Sequence, residues 1–160
     1  MTPWWNSKYR KAKSKKSGKR RTLEEMGRKD LRDTLDREFS TYIRLKAADD
    51  SGLIRCPTCG QVFFWREMEC SHNIHRDKMC VRWDERNVIA QCHTENHYHG
   101  GNVHIMRRVL INKYGEDAIK QIEDMAIKYG KSWLDDEFSM IKKIKEYRQK
   151  IKALKLEKGL

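Results

Sequence analysis

Two groups of residues in this chain have the side chains and spacing for chemistry. The first begins with Cys56-x-x-Cys59 followed by Gly60. Two thiolates leaving one tight turn can take adjacent vertices of a tetrahedral ion, and the amides of the turn support the sulfurs. A second pair is expected further along. Cys92-His93-Thr94-Glu95 stands there, with Glu where a second thiolate would be. A carboxylate also ligates zinc, so Cys56, Cys59, Cys92 and Glu95 form a candidate structural zinc site. His93, His97, His99, Cys70 and Cys80 are the alternatives for the fourth vertex, and the bland alternative makes Cys92 a buried thiol. Five cysteines, an odd count with one Cys-x-x-Cys pair, point to metal ligation in a reducing compartment rather than to disulfides.

The second group lies between the cysteine elements. Glu69-Cys70-Ser71-His72-Asn73-Ile74-His75-Arg76 is followed by Asn87 and then Asn96. Hydrolysis of a phosphodiester needs a base for the attacking water and a cation for the charge on the leaving oxygen. One imidazole and a divalent ion held by few ligands would meet that need and leave room for a phosphate. Arg76, Lys78, Arg82 and Arg86 flank the group and are candidates for phosphate contact, against the plainer reading of a solvated face. Trp65 and Trp83 are read as core before they are read as stacking platforms.

The elements that must position these residues are short. Thr22 to Lys46 reads as a helix with Leu31, Leu35, Phe39, Tyr42 and Leu45 on one stripe, stopped by Asp49-Asp50-Ser51-Gly52. Leu53 to about Arg66 reads as a hairpin around the Cys56–Gly60 turn, and Val88-Ile89-Ala90 as another strand. The stretch from Met68 to Arg86 has no strong period and is expected to form loops around the site. Three helices follow. One is capped by Asn102 and closed by Gly115, one runs from Glu116 to Tyr129, and one from Trp133 or Leu134 to about Lys158. The last carries Phe138, Ile141, Ile144, Tyr147, Ile151 and Leu154 on one stripe.

Only 38% of the 160 residues are hydrophobic and 36% are charged, which makes for a small core that a metal can staple. The formal charge is +12, which favours a polyanionic partner. Nine basic residues and no acid fall between Ser7 and Arg21, among them Lys15, Lys16, Arg20 and Arg21. Residues 1–21 are therefore expected to be a disordered basic tail that neutralises phosphates. No apolar run approaches membrane-spanning length and no secretory signal is present, so a cytoplasmic protein is expected.

The pattern resembles a known family. CPTCG, then FFWREMECSHNIHR, then RWDERNVIAQCHTEN, then GGN and a helix-ending KYG, preceded by FSTYIRL, is similar to the phage recombination endonucleases of the NinG/Rap type, in the HNH superfamily. The likeness runs from about Leu31 to Gly130, with a weaker echo at Asp135-Asp136-Glu137. It implies an α+β fold: a small zinc-stapled ββα-metal (HNH) core over residues 22–130, flanked by an N-terminal helix and a C-terminal helical segment at 131–160. It implies His72 as general base, Asn87 as the residue that holds the loop aiming the base, and Asn96 as a ligand of a catalytic Mg²⁺ or Mn²⁺. Cys56, Cys59 and Cys92 match its structural zinc ligands. Ser71 stands where many HNH enzymes have a ligating Asp, which leaves Glu69 or His75 to substitute. Glu95 stands where the second zinc knuckle has Cys.

The function that follows is a metal-dependent, structure-specific endonuclease acting on branched or Holliday-junction-type DNA in phage recombination, in the bacterial host cytoplasm. A non-catalytic zinc-dependent DNA- or RNA-binding module is the competing expectation. Homodimerisation through the C-terminal helix would place two sites on a symmetric junction.

Overall fold

The computed structural model describes residues 21–130 and 136–160, with element order α1 (Arg28–Ala47), β1 (Leu53–Arg55), β2 (Val62–Phe64), β3 (Met68–His72), β4 (Val88–Cys92), α2 (His93–His97), α3 (Val103–Tyr114), α4 (Glu116–Tyr129) and α5 (Glu137–Lys158). This is a mixed α+β arrangement with two small antiparallel sheets, β1–β2 and β3–β4. The basic tail expected at 1–21 lies outside the described residues except for Arg21, as do Trp133 and Leu134.

The first helix starts six residues later than the stripe suggests. Leu23–Glu25 forms a separate tight turn in which the Glu25 carboxylate accepts from the Thr22 amide at 2.8 Å. Gly27, a poor helix former, then intervenes before α1 begins. Leu31, Leu35, Phe39 and Leu45 of α1 are at most 1% exposed, each burial worth roughly 1.5–3 kcal/mol. Helix α5 covers this stripe with Met140, Ile144 and Tyr147, and the Tyr147 ring meets Phe39 edge-on at 5.3 Å between centroids. Phe138, placed on the same stripe by spacing, is instead 78% exposed in the first turn of α5.

The β1–β2 hairpin pairs Ile54 with Phe63 around the Cys56–Gly60 turn, where the Gly60 amide donates to the Cys56 carbonyl at 2.8 Å. Gly52 opens the hairpin at φ +80°, and a Cβ there would sit 2.6 Å from the Phe64 ring, so this position requires glycine.

Met68–His72, expected as loop, is a strand paired with β4 in the register Met68↔Cys92, Glu69↔Gln91, Cys70↔Ala90, Ser71↔Ile89 and His72↔Val88. Its polar residues hid it. Glu69 and Ser71 share one face, but that face bonds to α2 and is only partly open to water, so the alternation does not read as apolar-in and polar-out. All five residues of β4 are buried. Val88 joins the α1–α5 core, Ala90 and Cys92 join Leu45, Ile54 and Trp65 beneath the hairpin, and Ile89 joins Met106, Leu110, Ile119 and Ile122 of α3 and α4. The β3–β4 pair followed directly by α2 is thus the hub between three small cores. Trp65 and Trp83 are core residues, 5% and 8% exposed. Among the described residues no helix is long and apolar enough to cross a membrane.

Candidate functional site

The cysteine turn and the end of β4 bring three thiols together. Ligand atoms of Cys56, Cys59 and Cys92 lie within 4.8 Å of one another, and Cys59 Sγ is 3.8 Å from Cys92 Sγ. Tetrahedral zinc with Zn–S bonds of about 2.3 Å sets sulfurs about 3.8 Å apart, so the trio fits such an ion. None of the three is in a disulfide. Burial works against the Cys56 thiolate, but the Thr58 hydroxyl and the amides of Cys59, Cys92 and Thr58 outweigh it and bring the thiol down to about 7. Burial pushes the Cys92 thiol up, despite support from the Glu95 amide.

Glu95, the candidate fourth ligand, is not brought into this group. Its carboxylate accepts from His99 Nδ1 at 2.9 Å and from Asn102 Nδ2 at 3.0 Å, tying α2 to the turn that opens α3. Those two donors hold its pKa below the usual carboxylate range. Among the described residues, Cys70, Cys80, His93, His97 and His99 are also absent from the thiol cluster.

A second cluster stands where β3 meets α2. Glu69 Oε1 accepts from His93 Nδ1 at 2.9 Å, and Oε2 accepts from His97 Nε2 at 2.9 Å and from Asn96 Nδ2 at 2.5 Å. Ser71 donates its hydroxyl to Asn96 Oδ1 at 2.7 Å. The amide of Asn96 is therefore held at both ends by β3. Burial opposes the Glu69 charge, yet His93, Asn96 and His97 together keep its carboxyl below the usual range. Spacing in the chain offers only part of this group. His93 and His97 are one helical turn apart on α2, and Glu69 shares a strand face with Ser71. The rest depends on Met68–His72 being a strand, which its polar residues conceal.

His72 is the last residue of β3 and lies on its other face, with Cys70 and Met68, away from Asn96. Its Nε2 is 3.0 Å from the Arg82 carbonyl. A carbonyl only accepts, so Nε2 carries the hydrogen and Nδ1 the lone pair. Burial lowers its pKa more than the Arg82 carbonyl raises it, and the ring is neutral near pH 7.

Asn87 is fully buried and closes the loop between β3 and β4. Its Oδ1 accepts from the Ile74 amide at 2.7 Å, and its Nδ2 donates to the carbonyls of Ile74 and Val81, both at 3.0 Å. Its own carbonyl accepts from the Asn73 amide at 2.8 Å. The residues just after His72 are thus clamped by one side chain.

The remaining candidates divide. His75 is exposed, with Nδ1 3.1 Å from the Asp77 carboxylate, and does not join the Glu69 cluster. Arg82, proposed for phosphate contact, is a structural residue: it is 7% exposed and forks onto Asp36 of α1 at 2.8 and 2.5 Å. Its third nitrogen donates to the Arg76 carbonyl, and Trp83 Nε1 donates to the same Asp36. Arg86 forks onto Asp84, and Arg21 pairs with Asp30. Arg76 is exposed and Lys78 half-buried, whereas Lys15, Lys16 and Arg20 lie outside the described residues.

The family model described as "Bacteriophage Lambda NinG protein" matches residues 5–157. Over 75 residues, 47% of this chain, the sequence is 36% identical to "Protein ninG" of Escherichia phage 933W and of Salmonella phage P22. Over the same length it is 35% identical to "Protein ninG" of Escherichia phage lambda. The matched stretch spans 35% of each relative's own length, about a third. No solved structure matches.

Proposed function

Because the chain belongs to the NinG family, in which a single model spans nearly all of it, we propose that it is a metal-dependent endonuclease of the ββα-metal (HNH) type. The observation that carries the reading is the β3–β4–α2 unit, which meets three thiols at the end of β4 and presents His72 from its strand and Asn96 from its helix. A divalent ion, Mg²⁺ or Mn²⁺, would supply positive charge to the phosphate and to the leaving 3′-oxygen.

The chain's own residues do the rest. The Arg82 carbonyl fixes the tautomer of His72 and leaves Nδ1 as the acceptor, while burial keeps the ring neutral, as a general base requires. Asn87 holds the loop that carries the chain from His72 to Arg82. His72, the last residue of β3, and Asn96 stand on opposite faces of that strand, so in this reading the scissile phosphate would have to reach both around the strand's end. Water deprotonated by His72 attacks phosphorus, the 3′-oxygen leaves, and the product carries a 5′-phosphate. Branched or single-strand-containing DNA is the proposed substrate, in phage recombination; the +12 charge supports a nucleic-acid partner and the kinship supports the setting.

The test is cleavage of a four-way junction, with flap, single-strand, duplex and nicked DNA alongside, in Mg²⁺ and in Mn²⁺. His72→Ala should lose cleavage by a factor of about 100 or more while still binding. Equal cutting by that variant would sink the assignment. A second reading is favoured by the orientation of His72 away from Asn96: a zinc-dependent DNA- or RNA-binding module without chemistry. Tight binding with no cutting by the wild type in any metal would establish it.

A further inference from the structure

We propose that Glu69, His93 and His97 form a binding site for a first-row transition-metal ion, separate from the thiol cluster. Three observations converge. The ligand atoms of these residues lie within 4.8 Å of one another. They come from two elements held in fixed register, one carboxylate from β3 and two imidazoles one turn apart on α2. The side of the cluster that faces water is open: the side chains of His93, His97 and Glu69 are 58%, 54% and 32% exposed. The ring nitrogens that point at Glu69, His93 Nδ1 and His97 Nε2, now meet it through hydrogen. For a cation to enter between them, each imidazole carries its proton on its other ring nitrogen, His93 on Nε2 and His97 on Nδ1, and the lone pairs so freed take the ion with the carboxylate as its third ligand.

The kind of ion follows from the donors. Two imidazoles and one carboxylate suit Mn²⁺, Fe²⁺, Co²⁺, Ni²⁺ or Zn²⁺, with open positions left for water or phosphate. Mg²⁺ prefers oxygen donors at ideal octahedral geometry and gains little from imidazole. Asn96 holds Glu69 in place from the same helix turn, the support that orients a ligating carboxylate. Family likeness places the ion instead on Asn96 and residue 71, but Ser71 spends its hydroxyl on Asn96 and offers no charge. The site deepens the nuclease reading and rests on it only in identifying this ion with the one that serves the phosphate.

The test uses the full chain with its thiol cluster loaded with one equivalent of zinc. Titration with Co²⁺ should add one ion per chain, with visible d–d bands and no thiolate-to-cobalt charge transfer. Glu69→Gln and His97→Ala should each weaken that binding at least about tenfold while keeping the zinc equivalent. A variant-free measurement guards against misfolding. With one equivalent of Mn²⁺, the imidazole resonances of His93 and His97 should broaden before those of His75 and His104, and Mg²⁺ should leave all four in place. Equal Co²⁺ affinity in the variants, a thiolate charge-transfer band, or broadening that spares His93 and His97 overturns the site. If Co²⁺ binds as described but no DNA is cut, the nuclease reading fails and the site stands. If DNA is cut and Glu69→Gln cuts equally, the ion bound here is not the one that serves the phosphate, and that identification alone fails.

Discussion

Cys92 and His93 are consecutive, yet they serve different clusters: Cys92 Sγ lies 3.8 Å from Cys59 Sγ, and His93 Nδ1 lies 2.9 Å from the Glu69 carboxylate. Cys92 is also the last residue of β4 and the N-cap of α2. An ion on the thiols therefore fixes the start of the helix that carries His93, Asn96 and His97.

We predict one tightly held zinc per chain, and loss of both clusters when it goes. Structural zinc is worth on the order of 10 kcal/mol to small domains. Cys59→Ser should lower zinc content below half an equivalent, lower the melting temperature, and abolish Co²⁺ binding at the Glu69 group. Elemental analysis with a thermal scan checks it; full zinc in Cys59→Ser would show that the thiols are not ligands.

Asn87→Ala should destabilise the fold by about 3 kcal/mol, because one substitution strips partners from the Ile74 amide and from the Ile74 and Val81 carbonyls. Asn87→Asp restores the acceptor but neither donor, so it should recover little. Urea midpoints at constant slope decide this, and a loss under about 1 kcal/mol would mean the clamp is dispensable.

Arg82 and Arg76 should behave oppositely. Arg82→Ala leaves Asp36 half-buried without its fork, at a cost of about 3 kcal/mol. Burial raises the Asp36 pKa, but Arg82 and Trp83 outweigh it and hold it low in the fold. That contribution is present above the unfolded carboxyl value of about 3.9 and is lost as pH falls through the folded one. The gap between wild type and Arg82→Ala should accordingly narrow below about pH 4. Arg76→Ala should leave stability unchanged and reduce the salt slope of DNA binding by about 1. The reverse pattern would return Arg82 to the phosphate-contacting residues.

Folded His72 resists protonation because burial lowers its pKa. The unfolded chain takes that proton near pH 6.5, so stability is lost as pH falls from there toward the folded value. His72→Gln should flatten that decline, measured as the wild-type-minus-variant difference in unfolding free energy at pH 7.5 and 5.5. A difference independent of pH would place an unshifted ring at this position.

Spacing alone located the cysteine turn and the helices, because each depends on local signals: a Cys-x-x-Cys turn, a 3.6-residue stripe, a glycine stop; the loop-holding role of Asn87 came instead from the family resemblance. The Glu69 cluster was not legible, since its three members come together only through the β3–β4 register and a strand whose polar face is covered by a helix. Arg82 misled for a related reason. Its partner Asp36 is 46 residues away on α1, and a buried guanidinium is indistinguishable in sequence from a solvent-facing one. Glu95 reads as a ligand from its place in the knuckle, and only the folding of the turn before α3 reveals its bonds to His99 and Asn102.

The apolar side of α5 is spent on Leu35, Phe39 and Tyr42 of α1. Two copies could not join through it without each uncovering its own first helix. In the proposed nuclease reading, a four-armed DNA with two equivalent strands would then be cut either by separate molecules, in nicks separable in time, or by copies that meet on another face, in nicks made together.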